Sequence, residues 1–519
     1  MSNRDIEAAR TYHAATKHSY TSVRSGGHYL DWDNRPLPYK LYPEVSGLAL
    51  PRDLSLARVP ALGAIAAGGA GGDRNASTHE GGELSREGGE LTLDALTRIL
   101  FCANGLTRRV RVGGQDYHFR AAPSAGALYP IEIYTAVAET DELEQGLYHF
   151  SPADLRLRGL RRGDWRGLLA RTAAGRPSLL QARAVLVLSA IFWRSAWKYR
   201  ARAYRYCFWD AGTILANLFA AASAEGISAD LVTAFADPEI EALLGIDGAR
   251  EAALCLVALG GGTAAPGAEP VMKPLVLETI ELSREEVSYP DLVRMHQASR
   301  LLTPDEVAAV AGAQIDLIPP SAAATKAKPE TLDSDAGMSL GETILRRGST
   351  RAFAERPITA EELATILVVS SRHPSADFPP LSDTYLIVNA VEGMESGTYY
   401  YHRQGGEFEL LRAGSFRREA GYLCLEQMLG ADCSALIVYM ADLERALGAL
   451  GNRAYRDAHL EAGLHGGQVY LAAYTLGRGA TGLTFYDDDT TAFFAPHAAG
   501  KSPLLVVAVG VPRSSSDDS

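Results

Sequence analysis

Arg202-Ala-Tyr-Arg205 and Arg453-Ala-Tyr-Arg456 are the same four residues, set 251 positions apart in a chain of 519. The match runs outward from them at the same offset. Upstream, Pro123-Ser-Ala falls on Pro374-Ser-Ala, Tyr134 on Tyr385, Val137 on Val388, Gly146 on Gly397 and Tyr148 on Tyr399. Leu160, Arg161, Gly163 and Arg166 fall on Leu411, Arg412, Gly414 and Arg417. Downstream, Ala211-Gly212 falls on Ala462-Gly463, Gly226 on Gly477, Ala229 on Ala480, Thr233 on Thr484 and Asp237 on Asp488. An offset of 250 then aligns the apolar runs ending at Gly260 and Gly510. One register held over more than a hundred residues reads as an internal duplication. Its period is a whole domain, which excludes short-repeat solenoids.

Each copy has the same order of elements. A helix (LDALTRIL; AEELATIL) leads to the Pro-Ser-Ala loop, then to a strand (IEIYTAVA; DTYLIVNAV) and a hairpin-like segment at Gly146 or Gly397. A buried strand follows (AVLVLSAIFW; SALIVYMA), then a long helix (DAGTILANLFAAASAEG; EAGLHGGQVYLAAYTLG) and a last strand (CLVALG; LLVVAVG). The long helix is apolar or small on most faces, so it predicts a buried helix in close contact with another. The fold class is α+β, with helices around an antiparallel or mixed sheet.

The organisation reads as a wrapping segment with a Gly-rich loop (1–90), repeat one (91–262), a linker with a helical segment (263–336), repeat two (337–513) and a tail (514–519). Within the first part, residues 60–90 favour a loop without fixed structure. Residues 312–336 have linker composition. Asn75-Ala-Ser is a glycosylation sequon with no meaning in a cytosolic protein.

Bulk properties narrow the function. The formal net charge of −12 argues against a general nucleic-acid or anionic-membrane binder. Hydrophobic content of 47% and charged content of 22% are ordinary for a globular chain. Cys102, Cys207, Cys255, Cys424 and Cys433 form no C-x-x-C pair and sit mostly in apolar runs, which predicts buried thiols rather than disulfides or metal ligands. The N-terminus has no signal-peptide core, and no apolar run is long enough to span a bilayer, so a cytoplasmic protein is expected.

Three familiar patterns fail on context. Gly477-Arg-Gly-Ala-Thr-Gly482 spells G-x-G-x-x-G, but it follows a helix and opens a strand, the reverse of a dinucleotide-binding turn. Gly337-Met-Ser-Leu-Gly341 follows a polar linker rather than a strand. His497-Ala-Ala-Gly-Lys501-Ser502 lacks the first glycine of a P-loop.

The informative segment is Arg346-Arg347-Gly348-Ser349-Thr350-Arg351. On an extended backbone Arg347, Ser349 and Arg351 would project from one face, giving two guanidinium forks and a hydroxyl suited to a phosphate. A solvated basic turn is the competing reading. Arg-x-Ser-x-Arg before a helix, a Pro-Ser-Ala-Gly loop and a Gly-Ala-Thr-Gly segment near the end resemble the FMN-binding set of the nitroreductase superfamily. The first repeat is similar, more narrowly, to the SagB-type dehydrogenases that oxidise azoline rings in peptides. Tyr12-His-Ala-Ala-Thr-Lys-His18, Tyr29-Leu-Asp-Trp32, Arg120-Ala-Ala-Pro-Ser-Ala-Gly-Ala-Leu-Tyr-Pro130 and Trp197-Lys-Tyr-Arg-Ala-Arg-Ala-Tyr-Arg205 carry that resemblance.

The resemblance implies a pseudo-dimer within one chain, with FMN between the repeats. That leaves both a monomer and a further homodimer open. Arg347, Ser349 and Arg351 would hold the phosphate, ribityl chain and pyrimidine edge. Ala480, Thr481 and Gly482 would offer backbone N–H groups to the flavin. Pro123, Ser124, Ala125 and Gly126 would cover the ring from the opposite repeat. Arg513 is either a second phosphate ligand or a tail charge.

Lys198 and Tyr199 match the Lys-Tyr pair that SagB-type enzymes use in catalysis. Repeat two has Ala449 and Leu450 at the shifted positions. A basic surface turn is the alternative. Arg202, Arg205, Arg453 and Arg456 are expected in structural ion pairs or interface contacts. Trp193, Trp197, Tyr204, Tyr206 and Trp209 are expected mainly in packing.

The repeats diverge in a complementary way. Repeat one has Glu80-Gly-Gly-Glu-Leu-Ser where the clamp would lie, and repeat two has Asp377 in place of the loop glycine. One composite FMN site per chain is therefore expected, with clamp from repeat two and loop from repeat one. The functional expectation is an FMN-dependent dehydrogenase or oxidase acting on a small-molecule or peptide-borne heterocycle, with no metal. A NAD(P)H-dependent nitroreductase or quinone reductase, and a flavin-bearing scaffold in a peptide-modifying complex, are the alternatives.

Overall fold

Two antiparallel sheets with the same strand order form the frame of this computed structural model, which describes residues 2–25, 27, 29–69, 89–112, 115–313, 315 and 326–513. The first sheet runs Gly47–Ala49, Arg156–Arg162, Gly146–Ser151, Ile131–Val137, Ala184–Ile191, Glu251–Leu259, Ala229–Val232. The second runs Lys326–Ala327, Glu407–Ala413, Gly397–His402, Asp383–Val388, Ala435–Ala441, Ser502–Pro512, Phe353–Ala354, with Gly479–Leu483 also paired to Ser502–Pro512. The central strands are apolar and buried along their whole length, because each sheet is covered on both faces.

The helices that start each repeat are set by side-chain caps. Thr92 accepts from Ala95 N–H at Leu93–Asn104, and Thr359 with Glu362 closes a capping box at Ala360–Ser370. The two long helices, Ala203–Ala224 and Arg453–Thr475, cross at the centre of the molecule and are buried on nearly every face. Gly212 and Gly463 make the crossing possible. A Cβ on Gly212 would lie 2.4 Å from Leu460 O, and one on Gly463 would lie 2.5 Å from Trp209 O. Only hydrogen fits between the backbones there.

The repeated arginines close this interface reciprocally. Arg202 and Arg205 of repeat one bond Asp487 of repeat two at 2.9 and 2.8 Å. Arg453 and Arg456 of repeat two bond Asp237 of repeat one at 2.6 and 3.0 Å. The partner of Asp237 by role is thus Asp487 rather than Asp488, so the register slips by one residue before that aspartate. Asp488 instead meets Lys17 at the surface.

The N-terminal segment straps this junction. His13 and Thr16 carbonyls accept from Arg205 and Arg202, and Asn452 holds the turn around Asn3 and Asp5.

Two features depart from the sequence reading. Residues Ala61–Gly68, within the expected 60–90 loop, form a helix packed on Ala203–Ala224. Its small residues allow contact so close that a Cβ on Gly68 would lie 2.7 Å from the Phe219 backbone. Repeat one also inserts a hairpin, Leu106–Val112 and Gln115–Arg120, ahead of the Pro-Ser-Ala loop. Residues 70–88, which include Asn75 and Glu80, lie outside the described residues, as do 314, 316–325 and the tail 514–519. The five cysteines are buried free thiols. Among the described residues no helix is long and apolar enough to cross a membrane.

Burial opposes charge on Asp237 and Asp487, but the paired arginines outweigh it and hold both carboxyls below their ordinary range, Asp237 at about 2. Depressed carboxyl pKa values stabilise the fold above the unfolded value of ~3.9 and lose that contribution as pH falls. Asp487→Asn is expected to cost about 3–5 kcal/mol, because it leaves two buried guanidinium groups without an anion. Chemical denaturation at pH 7 measures this, and the difference from wild type should shrink as pH falls below 4.

Candidate active site at the repeat interface

Pro123, Ser124, Ala125 and Gly126 of repeat one form a tight turn held by the first long helix. Asp210 accepts from Ser124 Oγ at 2.5 Å and from Ala125 N–H at 3.0 Å. Thr213 Oγ1 donates to the Pro123 carbonyl at 2.8 Å. Asp210 is buried, forms no ion pair among the described residues, and burial pushes its carboxyl up to about 7. Gly126 has φ of 66°, and a Cβ there would lie 2.9 Å from the Tyr199 hydroxyl and 3.3 Å from Lys198 Cδ. The glycine is needed both for its left-handed backbone and for this close approach.

Lys198 and Tyr199 end the helix Phe192–Tyr199. Tyr199 stacks on Tyr206 with ring centroids 4.0 Å apart and planes 9° apart. Tyr206 in turn reaches Thr484 of repeat two at 3.4 Å. Burial lowers the Lys198 pKa, and the positive charges of Arg35 and Arg351 lower it further. Arg351 belongs to repeat two, so its field reaches the Lys-Tyr pair of repeat one.

The clamp segment is not a single extended face. Arg347 caps the helix Leu340–Arg346 and turns inward. Its Nε and Nη2 donate to the carbonyls of Ala121 and Arg120 at 2.9 and 2.6 Å, which braces the repeat-one loop. Ser349 is half-buried beside the Tyr470 hydroxyl at 3.4 Å, and Arg351 points outward and exposed. The helix end abuts residues 120–122, so the first arginine is drawn to those carbonyls while the others face the cleft.

Ala480, Thr481 and Gly482 lie in the strand Gly479–Leu483. Ala480 and Thr481 are buried, and the Ala480 carbonyl accepts from Thr350 N–H, which docks the clamp on this strand. Gly482 is the exposed one, and its N–H donates to the Tyr470 hydroxyl at 2.5 Å. Arg513 stands apart: its backbone bonds Ala352, and its half-exposed guanidinium faces Asp432 at 4.0 Å.

The equivalent region on the other side is closed. Asp377 accepts from Thr233 N–H at 2.9 Å and Ala234 N–H at 2.8 Å. Leu231 N–H donates to Ser375 O, and Asp377 N–H returns to Leu231 O, so loop and strand are joined directly. Asp230, where repeat two has Thr481, holds Ser375 Oγ and Arg176. Among the described residues no hydrogen bond joins Pro123–Gly126 to Gly479–Leu483, which leaves that pair of elements apart.

Sequence reasoning missed Asp210, Thr213, Tyr470 and Arg35. Asp210 carried a usable signal, since a carboxylate in an otherwise apolar, fully buried helix needs a specific task. A second buried cluster, Asp237, Glu241 and His296, has the spacing of a metal site. Its acids are already occupied by Arg453, Arg456 and Arg300.

Two interlocked α+β lobes of the same strand order, joined by their crossed long helices, define a tandem-duplicated α+β architecture. Residues 89–261 and 344–511 match the Nitroreductase family, and the chain belongs to that family. A crystal structure of an Anabaena variabilis protein assigned as a nitroreductase superimposes with a TM-score of 0.77 at 28% identity, covering 98% of this chain and 99% of that one. A Methanocaldococcus jannaschii protein named as a nitroreductase is 32% identical over 33% of this chain and 81% of its own length. The trifolitoxin-processing protein TfxB of Rhizobium leguminosarum bv. trifolii is 32% identical over 35% of this chain, which spans 50% of that protein. Nitroreductase-family members generally bind a flavin, FMN.

The cleft residues fit such a group. Arg351 and Arg108 are exposed and have no carboxylate partner among the described residues, Ser349 is half-buried, and Gly482 is the exposed residue of its strand. On the closed side, Asp377 and Asp457 are both buried carboxyls whose charge is disfavoured by burial, that of Asp457 also by Asp377, and carboxylates there would repel a phosphate. Burial and Asp377 push Asp457 up to about 7. A raised carboxyl pKa costs stability as pH rises from the unfolded value to the folded one. Asp457→Asn is therefore expected to stabilise the protein by roughly 1–3 kcal/mol at pH 8 and very little at pH 5. Thermal or urea unfolding at the two pH values measures the gain.

Proposed function

We propose that the chain is an FMN-dependent dehydrogenase or oxidase of a heterocyclic, azoline-type substrate, with one composite flavin site. The observation that carries this reading is the approach of the Gly126, Lys198 and Tyr199 cluster of repeat one to repeat two, through the Tyr199–Tyr206 stack that reaches Thr484 and through the charge of Arg351 on Lys198. The similarity to TfxB, a protein named for toxin processing, supports a peptide-borne substrate and a place beside other peptide-modifying proteins.

In this reading Arg351 and Arg108 would offset the charge of the cofactor's phosphate and Ser349 would hydrogen-bond it, while Arg347 braces the carbonyls of Arg120 and Ala121 just ahead of the covering loop. When bound, the flavin supplies the hydride acceptor. Lys198 takes the proton from the ring carbon, and the carbon next to it loses hydrogen with its electron pair, so a carbon–carbon double bond forms. A lysine whose proton affinity is lowered by burial and by the charges of Arg35 and Arg351, with no carboxylate partner among the described residues, suits that task. Tyr199, kept protonated by burial and by its neighbours Tyr206 and Asp210, is a hydrogen-bond donor beside it. Molecular oxygen is the expected final acceptor.

Reconstitution with FMN should reach one flavin per chain, measured by absorbance against protein concentration. Two equally bound flavins per chain contradict the composite site. Lys198→Ala should keep the flavin and lose about 10²- to 10⁴-fold in azoline turnover. The M. jannaschii relative favours a second reading, a NAD(P)H-dependent reductase. Rapid anaerobic bleaching by NADPH, with no azoline oxidation, selects it.

A further inference from the structure

Arg35 and Arg351 lie near enough to Lys198 for their charges to act on it. None of the three has a carboxylate partner among the described residues. The nearby acids are committed or turned away: Asp116 pairs with Arg109, Asp31 faces Arg284 at 3.6 Å, and Asp33 is exposed. Converging like charges in a chain of net charge −12 are an electrostatic cost that a bound anion removes.

These cations divide into two sets. Arg108, which acts on Arg347, sits with Arg351 on the clamp side, where a cofactor phosphate would use them. Arg35 sits on the catalytic side. Its guanidinium lies 5.4 Å over the Tyr117 ring, on the hairpin that repeat two lacks. This cation–π contact holds the guanidinium against the ring face.

The same region exposes aromatic surface. Trp32 is 61% exposed and meets Trp197 edge-on at 5.3 Å, while Tyr29 is 90% exposed. Trp197 Nε1 donates to the Asp31 carbonyl at 3.0 Å, which pins this segment beside the residue that precedes Lys198.

We propose that Arg35, with Tyr117 and Trp32 as flanking rings, forms a subsite for a free carboxylate carried on the heterocycle, as on a ring at the C-terminal end of a peptide. This deepens the flavin-enzyme reading and rests on it for the identity of the cleft. Arg35 supplies a bidentate contact to the carboxylate, and the rings enclose its planar carrier. An anion there offsets the field of Arg35 on Lys198, so arrival of the substrate raises the proton affinity of the base.

The test uses benzoate and benzamide as probes on the FMN-treated full chain, with tryptophan fluorescence and calorimetry as readouts. Benzoate is expected to bind at least about tenfold tighter than benzamide. Arg35→Gln should remove that preference and leave flavin content unchanged, and Arg35→Lys should restore part of it. Equal binding of the two probes, or undiminished benzoate binding by Arg35→Gln, overturns the subsite. A colourless protein that still discriminates through Arg35 keeps the subsite and overturns the flavin reading. A yellow protein that does not discriminate does the reverse.

Discussion

The crossed pairing of Arg202 and Arg205 with Asp487, and of Arg453 and Arg456 with Asp237, is the constraint on which the other features rest. Four guanidinium groups and two carboxylates are removed from water at the junction of the long helices. Each carboxylate is satisfied only if the other repeat is in place, because breaking such a pair strands an uncompensated charge. Gly212 and Gly463 set how near the helices come, and the ion pairs set their relative position. The placement of the Pro123–Gly126 turn relative to the Gly479–Leu483 strand follows from that fixed position.

The two sides of the pseudo-symmetric frame use the same elements for opposite ends. On one side the loop is latched from behind by Asp210 and Thr213, so its front stays available. On the other, Asp377 takes backbone N–H groups of Thr233 and Ala234, and the front is consumed by the protein itself. The position of Asp210 is occupied in repeat two by Glu461, which has His373, His465 and Arg403 around it. A compensated acid belongs to the closed side and an uncompensated one to the open side. Substitutions of single residues thus separate a cleft from a seal on one shared backbone plan.

The duplication, the α+β class and the order of strands were legible because apolar periodicity and turn glycines are local signals that survive divergence. The paired arginines were legible as a motif, but their partners were not, since Asp487 is reached across the interface after a one-residue slip in register. The pattern at Arg347, Ser349 and Arg351 singled out a segment that the fold sets at the repeat interface, yet spacing alone could not tell that Arg347 would turn to the carbonyls of Arg120 and Ala121. Asp210 and Tyr470 sit inside helices whose sequence reads simply as buried, and their roles depend on loops brought there by folding. The helix Ala61–Gly68 was hidden by its glycine-rich surroundings, because close packing rather than intrinsic preference holds it.

Tethering the two lobes has one further consequence. In an assembly of identical subunits every substitution is made twice, so an improvement in one cleft is imposed on its twin. Here the hairpin Leu106–Arg120 and the Lys198–Tyr199 pair exist in one copy only. Each lobe was free to change alone, without any penalty mirrored across the molecule.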